Sequence, residues 1–143
     1  MTRIPTAVEV VAVALIDRHG RVLLQKRRPG GRHGGLWEFP GGKIEGAESA
    51  KSALIREISE ELAIEVEPAE LFELGETAEP SLAGSLVPAL VLKLYRCARW
   101  VGDPCCLDAQ EIGWFTAEEA AMLAVPPLDQ PFIERLAEFA RAG

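Results

Sequence analysis

The order of apolar and polar segments predicts an α/β fold, with a mixed β-sheet and helices on both of its faces. Three observations support this prediction: short apolar runs typical of strands, one long amphipathic helix that interrupts them, and helical segments near the end. The chain has 143 residues, 48% hydrophobic and 26% charged, which suits a single domain over residues 1–143 with a substantial core.

The predicted strands are apolar or β-branched runs bounded by turn signals. They cover residues 8–16, 22–25, 36–39, 71–77, 86–97 and 111–115. The fifth run is almost entirely apolar, which predicts a central strand. Gly, Arg and His in residues 29–35 predict a mobile loop, residues 40–42 end the third strand, and residues 79–84 form another loop.

Three helices are predicted from capping residues and periodicity. The first covers residues 49–62 with Ser49 as its N-cap. Thr116 caps a short helix that ends at Leu123, and Asp129 caps a final helix through Ala140.

Charge and cysteine content limit the possible partners. The net charge of −7 argues against binding to a nucleic acid polymer, which requires clustered cations, although a small phosphate ester could still bind with metal ions. Cys105 and Cys106 are adjacent and no zinc-site spacing is present, which favours a reducing compartment. No signal peptide is recognised and the first apolar run is too short to span a membrane, so a cytoplasmic protein with no membrane association is expected.

An acidic helical face is the strongest indication of chemistry. Glu57, Glu60 and Glu61 stand at i, i+3 and i+4 and therefore share one face of the first predicted helix. Arg56 can pair with Glu60, but no cation in this turn is expected to balance Glu57 or Glu61. A divalent ion, Mg²⁺ or Mn²⁺, would compensate such a group of oxygen ligands. The alternative is a solvated acidic face. The neighbouring face is apolar and faces the core: Leu54, Ile55, Ile58 and Leu62.

The spacing around this helix decides between the two interpretations. Gly42 is followed after five residues by Glu48, and seven residues later by Arg56-Glu57-Ile58, one residue, and Glu60-Glu61. Residues 42–64 thus resemble the Nudix box. One position departs from it, because Ala63 stands where the family has Gly. Ala63 either adopts a left-handed conformation at an energetic cost or turns the loop differently.

The resemblance implies an α/β/α sandwich and a metal-dependent hydrolase. By that resemblance Glu57, Glu60 and Glu61 would bind Mg²⁺, with Glu57 or Glu60 polarising the attacking water. The Gly41 carbonyl would add a metal ligand, and Arg56 and Glu48 would orient the carboxylates. A further metal-binding carboxylate would be Asp108 or Glu111, and both remain open at this point.

A second resemblance concerns the MutT branch of this family. The segment 36–43, Leu-Trp-Glu-Phe-Pro-Gly-Gly-Lys, looks like the branch's entry segment. By that resemblance Arg27, Phe39, Lys43 and Asp129 would bind the substrate. The structural alternatives are a solvated strand end for Arg27, a core role for Phe39 and a helix cap for Asp129.

The expected activity is hydrolysis of a nucleoside triphosphate to the monophosphate and pyrophosphate. The expected substrates are oxidised nucleotides such as 8-oxo-dGTP, and the alternative is a preference for CTP or dCTP. The alternative from a different class is a catalytically silent nucleotide-binding module, which the intact set of box carboxylates disfavours. Ionised Asp129 could only accept hydrogen bonds, which suits bases that carry an amine. The sequence predicts no particular oligomeric state.

Overall fold

The computed structural model describes residues 7–31, 33–79 and 89–142. Its elements, in chain order, are β1 (Val8–Leu15), β2 (Val22–Lys26), β3 (Trp37–Glu38), β4 (Gly41–Lys43), α1 (Ala50–Leu62), a 3₁₀ turn (Pro68–Glu70), β5 (Phe72–Glu79), β6 (Leu90–Cys97), β7 (Glu111–Phe115), α2 (Ala117–Ala121) and α3 (Gln130–Ala142). The predicted α/β class is confirmed. The first helix begins after Ser49, whose hydroxyl accepts a hydrogen bond from the Ser52 amide, as its capping role predicts.

The strands divide between two sheets. One is mixed, in the order β4-β1-β6-β5, with β1 and β6 parallel and the other pairs antiparallel. The other is antiparallel, in the order β3-β2-β7. Strand β6 lies between β1 and β5, so the predicted central position is confirmed for its described part. Residues 86–88 of the predicted strand and residues 80–84 of the predicted loop lie outside the described residues.

Alternation along β1 explains why helices cover both sides of the mixed sheet. Val11, Val13 and Leu15 pack in one apolar cluster with residues of α1, including Leu54 and Ile58. The intervening residues of β1 belong to a second cluster with residues of α2 and α3: Ala12, Ala14, Ala120, Phe132 and Ile133. Successive side chains of a strand point to opposite faces, so an apolar strand of this kind is buried on both sides.

Two predicted features are wrong in detail. Residues 40–42 were expected to end the third strand, but Gly41–Lys43 form β4, which pairs with β1. The helix after Thr116 ends at Ala121 rather than Leu123, although Thr116 does cap it through a reciprocal pair of hydrogen bonds with Glu119. Asp129 immediately precedes α3, as predicted, and its carbonyl accepts from the Phe132 and Ile133 amides, while its carboxylate accepts a hydrogen bond from the amide of Phe39, between β3 and β4.

The backbone of Ala63, the residue after α1, shows how the chain accommodates Ala where the Nudix box has Gly. Ala63 has φ 59° and ψ 33°, the left-handed conformation, and its amide donates to the Ser59 carbonyl at 3.1 Å. Ala63 therefore adopts the conformation that Gly would adopt more readily.

The remaining sequence features concern membranes and cysteines. Among the described residues, no helix is long and apolar enough to cross a membrane. Cys97 is buried and Cys105 and Cys106 are exposed, and all three are free thiols.

Candidate active site

The acidic face of α1 is organised by the guanidinium of Arg56. Its Nε and Nη2 donate to the two carboxylate oxygens of Glu48 at 2.8 and 2.9 Å, and Nη1 donates to Glu57 Oε1 at 3.0 Å. Nη1 also lies 3.5 Å from Glu60 Oε2. Paired contacts of this kind fix the orientation of the planar guanidinium. The hydrogen bonds from Arg56 also hold the pKa of Glu48 below its usual value.

The expectation that no cation balances Glu57 is therefore wrong. The long side chain of Arg56 reaches between Glu48 and Glu57, which helical spacing alone does not reveal. Glu57 is largely enclosed, with 16% of its side chain exposed, whereas Glu60 is 61% exposed. Burial raises the pKa of Glu57, and the charge of Arg56 opposes that rise.

Glu61 has a different environment from its two neighbours. Its Oε2 accepts a hydrogen bond from the Gly41 amide at 3.1 Å. Burial, followed by the charge of Glu57, raises the pKa of Glu61 to about 8. A carboxyl group enclosed near other acids is stabilised in its charged form by a nearby cation.

Glycines bring the backbone of β4 against this helix. A side-chain carbon on Gly42 would lie 2.6 Å from both carboxylate oxygens of Glu57, and one on Gly41 would collide with the Val11 carbonyl. At Gly41 the obstacle is backbone, so only glycine permits this approach, whereas at Gly42 a side chain would displace the Glu57 carboxylate. The backbone of β4 thus lies beside Glu57 and Glu61, as an oxygen-ligand site for a hard cation requires.

The carboxylates of the predicted metal ligands Glu57, Glu60 and Glu61 do not point to one common position. In the described parts of the chain, no three His, Cys, Asp or Glu side chains are placed to hold a metal ion together as they stand. Glu57 and Glu60 face Arg56, while Glu61 faces Gly41. The donor set itself, carboxylates beside a glycine backbone, fits Mg²⁺ or Mn²⁺.

The structure separates the two candidates for a further carboxylate. Asp108 lines the same cavity as Gly41 and Glu61, and its charge contributes to the raised pKa of Glu61. Glu111 is half exposed, lies 3.9 Å from Lys26 Nζ, and is not part of that cavity wall. These positions favour Asp108 over Glu111 as the further metal-binding carboxylate.

A cavity of about 440 Å³ extends from Glu61 across the β-sheets. A cavity of this size can hold a small organic ligand. All four predicted substrate-binding residues line it: Arg27, Phe39, Lys43 and Asp129.

Asp129 and Phe39 form one polar contact in the wall of this cavity. Asp129 is 6% exposed, and its Oδ2 accepts the Phe39 amide hydrogen bond at 3.1 Å. Burial raises the pKa of Asp129 to about 6, while the Phe39 amide and Arg27 oppose that rise. The Phe39 side chain is 3% exposed and belongs to the apolar cluster beneath the cavity, so its predicted core role is met alongside its place in the wall.

The polar residues of the wall that were not predicted from the sequence include Glu38 and Gln25. Glu38 lies 3.6 Å from Arg27 Nε, and burial raises the pKa of its carboxyl group to about 7. Gln25 is its cross-strand partner and is 5% exposed. The one available signal was Gln25 itself, a polar residue at the end of an otherwise apolar strand. Polar side chains are seldom fully buried, so a polar residue in such a strand is informative.

Comparison with known proteins identifies the family. Residues 5–136 match the family described as the NUDIX domain. The chain is 35% identical over 127 residues to the CTP pyrophosphohydrolase of Escherichia coli (strain K12), covering 89% of each protein. It is 30% identical over 129 residues to the 8-oxo-dGTP diphosphatase of Haemophilus influenzae, covering 90% of each.

A solved structure supports the same relationship. The solution structure of the ORF135 protein of Escherichia coli superposes with a TM-score of 0.80 at 30% identity, covering 96% of this chain and 94% of that protein. Nudix hydrolases generally use divalent metals and act on nucleotide substrates. The chain belongs to the Nudix family and is a hydrolase of the MutT type.

Proposed function

We propose that this protein is a Mg²⁺-dependent nucleoside triphosphate pyrophosphohydrolase that acts on oxidised nucleotides such as 8-oxo-dGTP. The observation that carries the proposal is the continuity of one cavity. It joins Gly41 and Glu61, beside the carboxylates of α1, to the wall formed by Arg27, Phe39 and Asp129. A triphosphate at the first end would place its base at the second. We also infer a single domain and a cytoplasmic location.

The residues of α1 and its neighbours have different roles in the proposed reaction. Glu57, Glu60 and Glu61, with the Gly41 carbonyl and Asp108, would hold Mg²⁺, with Mn²⁺ as a substitute. The bound ion supplies neutralisation of phosphate charge and acidification of water. Glu57 or Glu60 takes the proton of the attacking water, and Arg56 with Glu48 keeps Glu57 in place. Water adds across the linkage between the α- and β-phosphoryl groups, which gives the monophosphate and pyrophosphate.

The other end of the cavity binds the rest of the nucleotide. Lys43 is exposed on the cavity wall, where its cation can attract the phosphates. Arg27 and Asp129 face the nucleoside. One oxygen of Asp129 accepts from the Phe39 amide; the other has no hydrogen bond within the described ranges and can accept a base N–H group.

The second candidate function is a CTP or dCTP pyrophosphohydrolase. It is favoured by Asp129, whose ionised carboxylate suits the exocyclic amine of cytosine, and by the name of the relative that is 35% identical. A catalytically silent module is disfavoured because all the box carboxylates are present.

A nucleotide panel with product analysis tests both candidates. We would measure kcat/KM for 8-oxo-dGTP, dGTP, CTP, dCTP and UTP, and separate pyrophosphate from orthophosphate among the products. We expect pyrophosphate, no turnover in EDTA, and recovery on adding Mg²⁺. Turnover that persists in EDTA, or orthophosphate as the sole inorganic product, would contradict the proposed reaction.

A further inference from the structure

One buried polar atom in the cavity wall, on Gln25, has no hydrogen-bond partner among the described residues. Gln25 is 5% exposed, and its Oε1 lacks a hydrogen-bond partner among the described residues. Polar groups enclosed in a protein are nearly always paired, because an unpaired one forfeits its bonds to water without replacement. A fold that needed only packing at this position would be served better by an apolar residue, as at Leu23 and Leu24 before it.

The position of Gln25 points to a ligand in the cavity. Gln25 lines that cavity, on the strand that also leads to Arg27. Its cross-strand neighbour is Glu38, which lies in the same wall. Asp129 contributes a buried carboxylate to the wall from the start of α3. Polar groups from three elements therefore converge where the proposed function places the nucleoside.

We propose that Gln25 is a specificity-determining residue, whose amide turns toward the nucleobase so that its Oε1 accepts a hydrogen bond from a base N–H group. The proposal rests on the nucleotide site proposed above. Oε1 is not held by a hydrogen bond to the described part of the chain, so rotation of the amide toward a ligand breaks none there.

The number of acceptors indicates which bases gain most. Gln25 Oε1 and the free oxygen of Asp129 are acceptors on different elements, so together they suit a base with N–H groups at more than one position. Guanine has a ring N–H and an amine, and its 8-oxo form has a further ring N–H. Uracil has a single ring N–H. We therefore expect Gln25 to favour oxidised guanine over uracil.

The test measures binding of nucleoside monophosphates without hydrolysis. Dissociation constants for 8-oxo-dGMP, dGMP, CMP and UMP, with ribose 5-phosphate as a probe that lacks a base, are measured in EDTA. The protein is compared with Gln25→Met, which removes the amide at similar length. Gln110→Met is the matched control, because Gln110 is exposed and lies outside the cavity wall. Thermal unfolding is measured in parallel, with Gln25→Leu as a second apolar replacement if Gln25→Met lowers Tm.

We expect Gln25→Met to weaken 8-oxo-dGMP by about 10- to 100-fold and UMP by less than about 3-fold, since a site that loses one buried hydrogen bond discriminates on that scale. Ribose 5-phosphate and the Gln110→Met control should be unchanged. Unaltered base discrimination in Gln25→Met, equal weakening of every ligand, or no nucleotide binding by the wild type would each overturn the proposal. Because no turnover is needed, failure of pyrophosphate release would contradict the proposed reaction without deciding the role of Gln25.

Discussion

The guanidinium of Arg56 lies beside Glu48, Glu57 and Glu60, whose side chains differ in solvent exposure. Glu48 and Glu57 make short hydrogen bonds to it, whereas Glu60 lies at 3.5 Å and is mostly solvent-exposed. This arrangement suggests that Glu57 is held in place before substrate binds, while Glu60 is free to move toward it. Glu57 is therefore bound more closely than Glu60 by the same guanidinium.

Glu57→Gln and Glu60→Gln should each lower kcat by about 10² to 10⁴, if the carboxylate activates water or binds the metal. The free energy of unfolding should change little. Burial and the charge of Glu60 disfavour the ionised form of Glu57, which offsets the loss of its ion pair with Arg56, and Glu60 is mostly solvent-exposed. Steady-state kinetics with urea unfolding of the same samples checks both statements.

Glu45→Gln is the matched control for these two variants. Glu45 lies 3.9 Å from Arg56 and its side chain is 73% exposed, so it shares the guanidinium but has no proposed metal or proton role. Its kcat should match the wild type. Activity near wild type in both Glu57→Gln and Glu60→Gln would show that the catalytic assignment of α1 is wrong.

Asp129→Asn should shift the base preference toward 8-oxo-dGTP and away from CTP. Asn presents both a donor and an acceptor, whereas an ionised Asp only accepts. With its pKa raised to about 6, Asp129 is mostly ionised at pH 7.5, so the substitution changes its hydrogen-bonding character at that pH. The measurement is the ratio of kcat/KM for 8-oxo-dGTP and CTP in both proteins, with UTP as the base that lacks an amine. An unchanged ratio would limit Asp129 to its contact with the Phe39 amide.

At the scale of single elements, the residue after α1 lowers the stability of the fold, because Ala63 stands where the Nudix box has Gly. Ala63 adopts a left-handed conformation, which is less favourable for Ala than for Gly. Ala63→Gly should therefore raise the free energy of unfolding by up to about 1 kcal/mol, measured by urea denaturation. Ala121→Gly, at a right-handed helical position of α2, is the control and should destabilise the protein. Destabilisation by both substitutions would contradict strain at Ala63.

Local sequence signals predicted α1 well because a helix is specified by neighbouring residues. Its cap at Ser49 and its apolar face depend on spacings of three and four residues. Strand β4 was missed because Gly41 and Gly42 resemble a break, and their pairing with Val11 and Ala12 is a contact between segments distant in sequence. The conformation of Ala63 stayed open because spacing does not fix a backbone dihedral angle.

In the candidate site, too, the sequence predicted local features and missed contacts between segments distant in the chain. The motif identified Glu48, Arg56 and the carboxylates of α1, but it did not reveal that Arg56 would pair with Glu57. Gln25 and Glu38 were missed, because their burial depends on how β2, β3 and α3 assemble around the cavity. Sequence could not choose between Asp108 and Glu111 for a similar reason, since the choice depends on which of the two side chains lines the cavity with Glu61.

For the whole molecule, the consequence of this assembly is a cavity wall that encloses several carboxyl groups. Glu38 and Asp129 both face it, together with Glu61 and Asp108, and Arg27 is the cation nearest to the first two. Burial raises the pKa of Glu38 from 4.5 to about 7 and that of Asp129 from 3.8 to about 6. Each group binds its proton more tightly in the folded state than in the unfolded state. Their contribution to stability is complete below pH 4 and is lost as pH rises through about 6 to 7.

The double variant Glu38→Gln/Asp129→Asn should therefore flatten the pH dependence of stability. Between pH 5 and pH 8, in EDTA, the free energy of unfolding of the wild type should fall by on the order of 2 to 4 kcal/mol more than that of the variant. Glu119→Gln is the control. Its pKa is lowered by the Thr116 amide, so its stabilising contribution is lost only as pH falls through the acidic range, and its profile should run parallel to the wild type between pH 5 and 8. Urea unfolding at pH 5, 6, 7 and 8 measures all three proteins. Parallel profiles for the wild type and the double variant would mean that Glu38 and Asp129 ionise in the folded protein as they do in water, and that the cavity is more open to solvent than its wall indicates.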